Sequence, residues 1–366
     1  MEVNMQFVCN TMDLNQALST VIHALPQKSP KVVLEGIQIQ ALSDSIVLTA
    51  TDMVIGIECK IDAVVKEEGC VIVPGRYFCE IVRKLPGDEI SIAVNDRMMI
   101  GIISGEFRTI ISGQDAEEYP ELPAVTGNTI HISQKNLKWL INGTIFAVAQ
   151  DENHPTMNGC LFDIDSHVIN VVALDGFRLA ILKEATEYEG NPIYAIIGSK
   201  PLSDISKIIN DTEDEADLCF SRSHVSLTVG NTQLIARLLE GEFTKYKHIV
   251  SNEYTTKIRI KRTALEDAID RAMLIGRETK SKMVTFKIEQ EFLTVSIQNV
   301  NMEEKIPILM EGKDIEIAFN MKYIMDITRN ISDEEIEFNF KSNLTPCNIH
   351  PIEGDSYTYI VLPVRF

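Results

Sequence analysis

The sequence predicts an α+β protein built from three tandem copies of one unit, each with two helices packed on antiparallel sheets. Three observations predict it. Amphipathic helix candidates recur with a period of about 120 residues, alternating strand-like segments fill the intervals, and a carboxylate or amide returns at one place in every copy. At 366 residues the chain is too long for one ordinary core. Hydrophobic residues make up 45%, and no Pro/Ser/Gly-rich linker or low-complexity tract interrupts them, so folded domains are expected throughout.

The first helix type occurs at 10–25 (NTMDLNQALSTVIHAL), 133–148 (SQKNLKWLINGTIFAV) and 261–276 (KRTALEDAIDRAMLIG). The second occurs at 73–86 (VPGRYFCEIVRKLP), 197–210 (IGSKPLSDISKIIN) and 319–331 (FNMKYIMDITRNI). Its three starts are 124 and 122 positions apart. Helical spacing groups Phe78, Ile81, Val82 and Leu85 in the first copy. It groups Leu202, Ile205, Ile208 and Ile209 in the second, and Tyr323, Ile324, Ile327 and Ile331 in the third.

Between the helices lie alternating segments such as EISIAVNDRMMIGIIS, HVSLTVGNTQLIARLL and EIEFNF, the pattern of half-buried antiparallel strands. Strand-like runs end at Asp52, Asp175 and Asn299, spaced 123 and 124 apart, which suits a shared structural turn. Only the middle copy follows this position with Gly176, Phe177 and Arg178. Polar, turn-rich stretches place the domain boundaries at 1–127, 128–252 and 253–366.

The net charge of −19 by itself argues against nucleic acid. The charge is unevenly spread, however. The six helix-bearing segments, taken as 11–28, 74–87, 133–150, 198–210, 261–280 and 320–331, together carry +7, so the remainder carries −26. If the helices share one side, that side is electropositive and can face a polyanion that the rest of the surface repels. Ordinary surface variation is the competing explanation. The N-terminus MEVNMQFVCN lacks a basic region followed by an apolar core, and no apolar run reaches membrane-span length. The seven cysteines (9, 59, 70, 79, 160, 219 and 347) form no CxxC pair. Reduced thiols and a cytoplasmic location are expected.

The motifs LTATD (48–52), VPGRYFCEIVRKLPG (73–87), MNGCLFDID (157–165), VALDGFRLA (172–180), EGEFTKY (240–246), IAFNMKYIMDI (317–327) and YTYIVLPVRF (357–366) occur in order along the chain. Together they resemble the bacterial sliding clamp family, the beta subunit of DNA polymerase III, over the full length. The resemblance implies three tandem DNA-clamp domains and a head-to-tail homodimer closed into a ring, with the helices lining the hole. It also implies a role in DNA replication: the ring encircles double-stranded DNA without regard to sequence and tethers the replicative polymerase, giving processivity. Topology then does the holding, so a weakly basic bore suffices.

The resemblance carries three sets of residues. For DNA binding they are Lys28, Arg76, Lys138, Lys200, Lys207, Lys322 and Arg329. Lys28, Arg76 and Lys200 match basic family positions, while the other four rest on helical phase, and a solvated surface side chain is the alternative for each. For the partner peptide pocket they are Met157, Leu174, Gly176, Phe177, Arg178, Leu179, Thr244, His248, Ile249, Ile360, Leu362, Val364 and Arg365. Polymerase, clamp loader and repair proteins would insert short linear peptides there, with aliphatic walls as anchors. Core packing is the alternative for Leu179, Ile249 and Val364. For the dimer interface they are Thr109 and Ile111 against Leu274 and Ile275.

The chain departs from the family pattern at several of these positions. Leu174 replaces a small hydroxyl residue, Phe177 a histidine or tyrosine, Thr244 a proline, His248 an arginine and Thr109 an aromatic. A specialised clamp paralogue with an altered pocket is therefore a second reading. A small-molecule enzyme on a repeated scaffold is a third. Against the enzyme stands the absence of G-x-S-x-G, Walker and GxGxxG motifs. DENHP (151–155) sets carboxylates beside His154, but adjacent residues do not converge as metal ligands do. The expectation is a non-catalytic processivity subunit of a DNA-directed DNA polymerase, with no metal, no cofactor and no membrane partner.

Overall fold

The computed structural model describes residues 3–150, 153–251 and 253–365. Asp151 and Glu152 of DENHP and the terminal Phe366 lie outside the described residues.

The first repeat holds β1 (Val3–Asn10), α1 (Thr11–Val21), β2 (Gly36–Leu42), β3 (Ser45–Thr51), β4 (Ile55–Asp62), β5 (Val64–Glu67), β6 (Gly69–Pro74), α2 (Gly75–Val82), β7 (Glu89–Asn95), β8 (Met99–Ser104) and β9 (Phe107–Ser112). The middle repeat holds β10 (Asn128–Ser133), α3 (Gln134–Ile145), β11 (Gly159–Ile164), β12 (Val168–Leu174), β13 (Arg178–Ala185), β14 (Ile193–Gly198), α4 (Ser199–Ile208), β15 (Glu215–Phe220), β16 (His224–Val229) and β17 (Thr232–Leu239). The third holds β18 (Thr256–Lys261), α5 (Arg262–Thr279), β19 (Met283–Glu289), β20 (Phe292–Ser296), β21 (Glu303–Gly312), β22 (Ile315–Asn320), α6 (Met321–Arg329), β23 (Glu335–Phe340), β24 (Cys347–Pro351) and β25 (Tyr357–Val361). The element order repeats three times, with β5 the one addition.

The helices begin and bury as their sequences dictate. Asn10 Oδ1 accepts from the Met12 and Asp13 amides at 2.8 and 3.2 Å, capping α1. Asn320 Oδ1 does the same for the Lys322 amide of α6 at 3.0 Å. Phe78 and Val82 of α2, Leu202 and Ile205 of α4, and Ile324 and Ile327 of α6 are buried. The strands alternate likewise: β7 buries Ile90, Ile92 and Val94 and turns the residues between them outward or half outward.

The chain divides into two compact units that cross the repeat boundaries. One contains the residues up to 134 with 207–238, the other 135–206 with those from 239 onward. The first unit has a sheet ordered β5-β1-β7-β8-β9. It also has an eight-stranded sheet ordered β6-β2-β3-β4-β17-β16-β15-β10. The second unit has an eight-stranded sheet ordered β14-β11-β12-β13-β25-β24-β23-β18. Beside it lies a sheet ordered β22-β19-β20-β21, and β21 bridges the two by pairing with β20 over 303–307 and with β18 over 308–312.

Each eight-stranded sheet joins strands of two neighbouring repeats along one seam. In the first, β4 pairs with β17, from Ile55 opposite Ala236 to Cys59 opposite Thr232. In the second, β13 pairs with β25, from Arg178 opposite Val361 to Leu182 opposite Tyr357.

All seven cysteines are free thiols. Burial raises the Cys9 and Cys160 thiols to about 12, far from thiolate formation. Among the described residues no helix is long and apolar enough to cross a membrane.

The recurring Asp/Asn position has a physical basis in two of the three copies. Asp52 Oδ1 accepts from the Val54 and Ile55 amides at 3.0 and 2.9 Å. Asp175 Oδ1 accepts from the Phe177 and Arg178 amides at 2.9 and 3.0 Å. The residue after each aspartate is left-handed, with φ +73° at Met53 and +86° at Gly176. The third copy differs, because Asn299 is itself left-handed at φ +62°. The shared turn thus holds for the first two repeats only. Gly176 is the residue the turn geometry favours, whereas Met53 bears the strain. A Cβ at Gly176 would meet nothing within 4 Å, so only backbone strain opposes a side chain there. Gly176→Ala should therefore destabilise the chain by about 1 kcal/mol. A denaturation midpoint unchanged from wild type would refute the assignment.

Candidate functional site

The site is built around the β12–β13 turn in the second unit. Met157, Leu174, Leu179 and Ile360 belong to one apolar cluster with Leu161, Ile181, Phe243 and Tyr246. Leu174, Leu179 and Ile360 are buried, so they form the floor of the surface rather than its exposed wall. The exposed apolar members are Phe177, Ile249 and Leu362. Thr244 and Val364 are half-buried, and His248 and Arg365 are exposed.

Backbone bonds fix the frame. The Leu362 amide donates to Phe177 O at 2.9 Å, and the Val364 amide donates to Ala318 O at 2.8 Å. The C-terminal segment therefore ties the turn to β22. Tyr246 Oη donates to Asp163 Oδ2 at 2.6 Å, and Lys247 Nζ reaches the same oxygen at 2.9 Å. Burial, reinforced by that carboxylate, holds the Tyr246 phenol well above its ordinary range and keeps it a donor.

Arg178 braces the turn. Its side chain is only 7% exposed, and each of its three guanidinium nitrogens has a partner within the chain. Nε donates to Asp175 Oδ2 at 2.9 Å and Nη1 to Asp326 Oδ2 at 2.6 Å. Nη2 donates to Phe146 O. The guanidinium also lies over the Tyr323 ring at 4.5 Å and the Phe146 ring at 5.3 Å. It fastens the turn to α6 and to the chain just after α3. Phe177, 60% exposed, stacks on Tyr323 with centroids 6.4 Å apart. Asp175, Phe177, Arg178, Lys322, Tyr323 and Asp326 line part of a cavity of about 620 Å³.

The expected DNA-binding residues lie on or beside the helices. In the second unit Lys138 is half-buried on α3, Lys200 is exposed at the start of α4, and Lys322 is exposed in the first turn of α6. Arg329 is exposed but engaged, 3.9 Å from Glu266 and 3.5 Å from Asp270. In the first unit Lys28, Arg76 and Lys207 are exposed. Arg76 Nη2 donates to Leu25 O at 3.4 Å. None is buried, so all seven remain accessible to a polyanion.

The expected dimer residues lie on β9 and α5. Ile111 lies opposite Ile100 on the inner face of the β8–β9 pair and is 6% exposed. Strand alternation points Ile110 the other way, at 67% exposed, and Phe107 of β9 and Ile103 of the neighbouring β8 are also partly exposed. Thr109 is half-buried, Leu274 exposed and Ile275 half-exposed on α5.

Residues 5–123, 131–245 and 247–365 match, in turn, the N-terminal, central and C-terminal domains of the DNA polymerase III beta subunit. The chain belongs to the DNA polymerase III beta subunit family. A beta sliding clamp from Staphylococcus epidermidis is 33% identical over 365 residues, covering 96% of this chain and 97% of the relative. One from Staphylococcus aureus is 32% identical over 361 residues, covering 95% and 96%. Among solved structures, a DNA polymerase III beta subunit from Eubacterium rectale aligns with a TM-score of 0.94 at 33% identity, over 99% of both chains. The DNA polymerase sliding clamp of Bacillus subtilis aligns with a TM-score of 0.96 at 28% identity, over 99% of this chain and 100% of that one. As a sliding clamp, the protein is a non-catalytic processivity subunit in DNA replication, which sets aside the small-molecule enzyme.

Removing Arg178 leaves two carboxylates and a backbone carbonyl without their donor. Arg178→Ala should cost about 3 kcal/mol. Arg178→Lys, a point charge without the fork, should recover only part of that. Chemical denaturation of the three proteins checks this, and an Ala variant as stable as wild type would show the clasp to be idle.

Proposed function

We propose that two copies of the chain close head to tail into a ring around duplex DNA, and that the Phe177 surface receives short peptides from polymerase, clamp loader and repair proteins. The observation that carries the ring is a pair of unmatched sheet edges. Within each chain β4 is covered by β17 and β13 by β25. The equivalent strands left over are β21 and β9, whose outer edges between 303 and 306 and between 107 and 112 have no strand partner among the described residues. Exposed edges of this kind call for a partner.

The inner seams supply the register. Ile55 and Arg178, three residues after Asp52 and Asp175, pair with Ala236 and Val361. Met302 stands three residues after Asn299. Ile111 holds the hairpin position of Ala236 and Val361, by its pairing with Ile100 as theirs with Val225 and Cys347. The closing seam then sets Met302 opposite Ile111, Glu303 opposite Ile110 and Glu304 opposite Thr109. Lys305 falls opposite Arg108, a like-charged pair offset by the diagonal Glu303. The Lys60 and Lys183 amides extend the inner seams by donating to Asn231 O and Ser356 O. Pro307 stands at the equivalent place and has no N–H to donate. The closing seam is therefore one hydrogen bond shorter.

The domains proposed for each chain are 1–127, 128–252 and 253–366, and the proposed location is the cytoplasm. Lys28, Arg76, Lys138, Lys200, Lys207, Lys322 and Arg329 would meet DNA phosphates, and at Arg329 Glu266 and Asp270 would compete with them. Phe177, Ile249 and Leu362 would be the peptide anchors, above the floor of Leu174, Leu179 and Ile360. A specialised paralogue is the second reading, favoured by Phe177 and Thr244. Calorimetry with a polymerase C-terminal peptide separates the two: an intact ring that gives no heat would favour the paralogue.

Two outcomes are expected. The clamp, once loaded on nicked circular DNA, should stay bound and escape when the circle is linearised; equal escape from both would sink the ring. The double variant Ile110→Cys, Glu303→Cys should form a disulfide-linked dimer, whereas Ile110→Cys, Glu304→Cys should not. Cross-linking of the shifted pair alone would overturn the register.

A further inference from the structure

Away from these surfaces, the β10–β15 strand pair gathers three metal-ligating side chains on one exposed face. His131 pairs directly with Asp217, and Ser133 with Glu215. The two-residue period of a strand puts His131, Asp217 and Glu215 together on the solvent side. Ile130, Ile132, Ala216 and Leu218 point the other way into the core.

The distances suit an ion. His131 Nδ1 lies 2.6 Å from Asp217 Oδ1 and 3.7 Å from Glu215 Oε1. One ligand atom from each of the three residues lies within 4.8 Å of the other two. Bonds of about 2.0–2.2 Å in a tetrahedron place neighbouring ligands roughly 3.3–3.6 Å apart. Glu215 already stands near that spacing from the imidazole. Asp217 needs to retreat by less than about 1 Å, exchanging its hydrogen bond for a shared cation.

We infer that this face binds one divalent transition-metal cation of the zinc class, held by His131, Glu215 and Asp217, with water in the fourth position. Three protein ligands with an open fourth position form a recognised zinc arrangement. The imidazole nitrogen sets the class, since magnesium and calcium take oxygen ligands. The ion joins β10, the last strand of its sheet, to β15 across 86 residues of sequence, so binding resists peeling of that edge. A surface hydrogen bond between His131 and Asp217 with no ion is the alternative that the test must exclude.

The test uses the full chain freed of metal by chelation and titrated with zinc chloride in a calorimeter. One saturable site per chain is expected. His131→Asn at an exposed position and Asp217→Asn at a half-buried one should each weaken binding at least tenfold. Cobalt(II) should give a tetrahedral visible absorption band that His131→Asn abolishes, and magnesium chloride at the same concentration should give no saturable heat. No saturable zinc binding by the wild-type chain would overturn the site. So would undiminished binding in both variants, which would put the ion on other histidines or thiols.

Discussion

An open antiparallel sheet has two edges, and each edge carries backbone donors and acceptors that must find partners. The rest of this structure depends on that constraint. No four-stranded sheet of the middle repeat could stand alone without exposing such edges. β17 therefore lies against β4, and β25 against β13. Each junction is a continuous ladder with apolar side chains beneath it, so neighbouring repeats share a core as well as hydrogen bonds. The compact units accordingly fall across the repeats, because packing follows the sheets and not the order of duplication.

The second junction also positions the proposed peptide surface. The β13–β25 ladder brings Ile360 under Leu179 and carries the chain on to Leu362 and Val364. Arg178 closes the other side. A buried cation that meets two carboxylates, a carbonyl and two aromatic faces has little freedom, and it holds Phe177 in a fixed, exposed position on Tyr323. Rigid presentation lowers the entropy lost when a peptide docks. In the proposed pocket, Phe177 would then alter what the surface can recognise without loosening it.

The repeats were legible because helix periodicity and the Asp/Asn spacing are local signals. Phe78, Leu202 and Ile324 sit where their periodicity puts them. What escaped the sequence depends on distant partners. Arg178 resembles a rim cation until Asp326, 148 residues away, is seen to take it. Ile110 and Ile111 are equivalent in composition, and only the strand phase tells the exposed one from the buried one. Met53 carries no mark of a left-handed backbone, since methionine is not a turn residue. His131 and Asp217 meet only through the β10–β15 register.

The seams also differ in how they respond to dilution. The two inner seams join parts of one covalent chain, so their strands face each other at a high effective concentration whatever the amount of protein. The third, in the proposed ring, joins separate chains and obeys mass action. Pro307 removes one hydrogen bond from that seam alone. Its opening is therefore set by concentration and can occur while both chains stay folded, which neither inner seam permits.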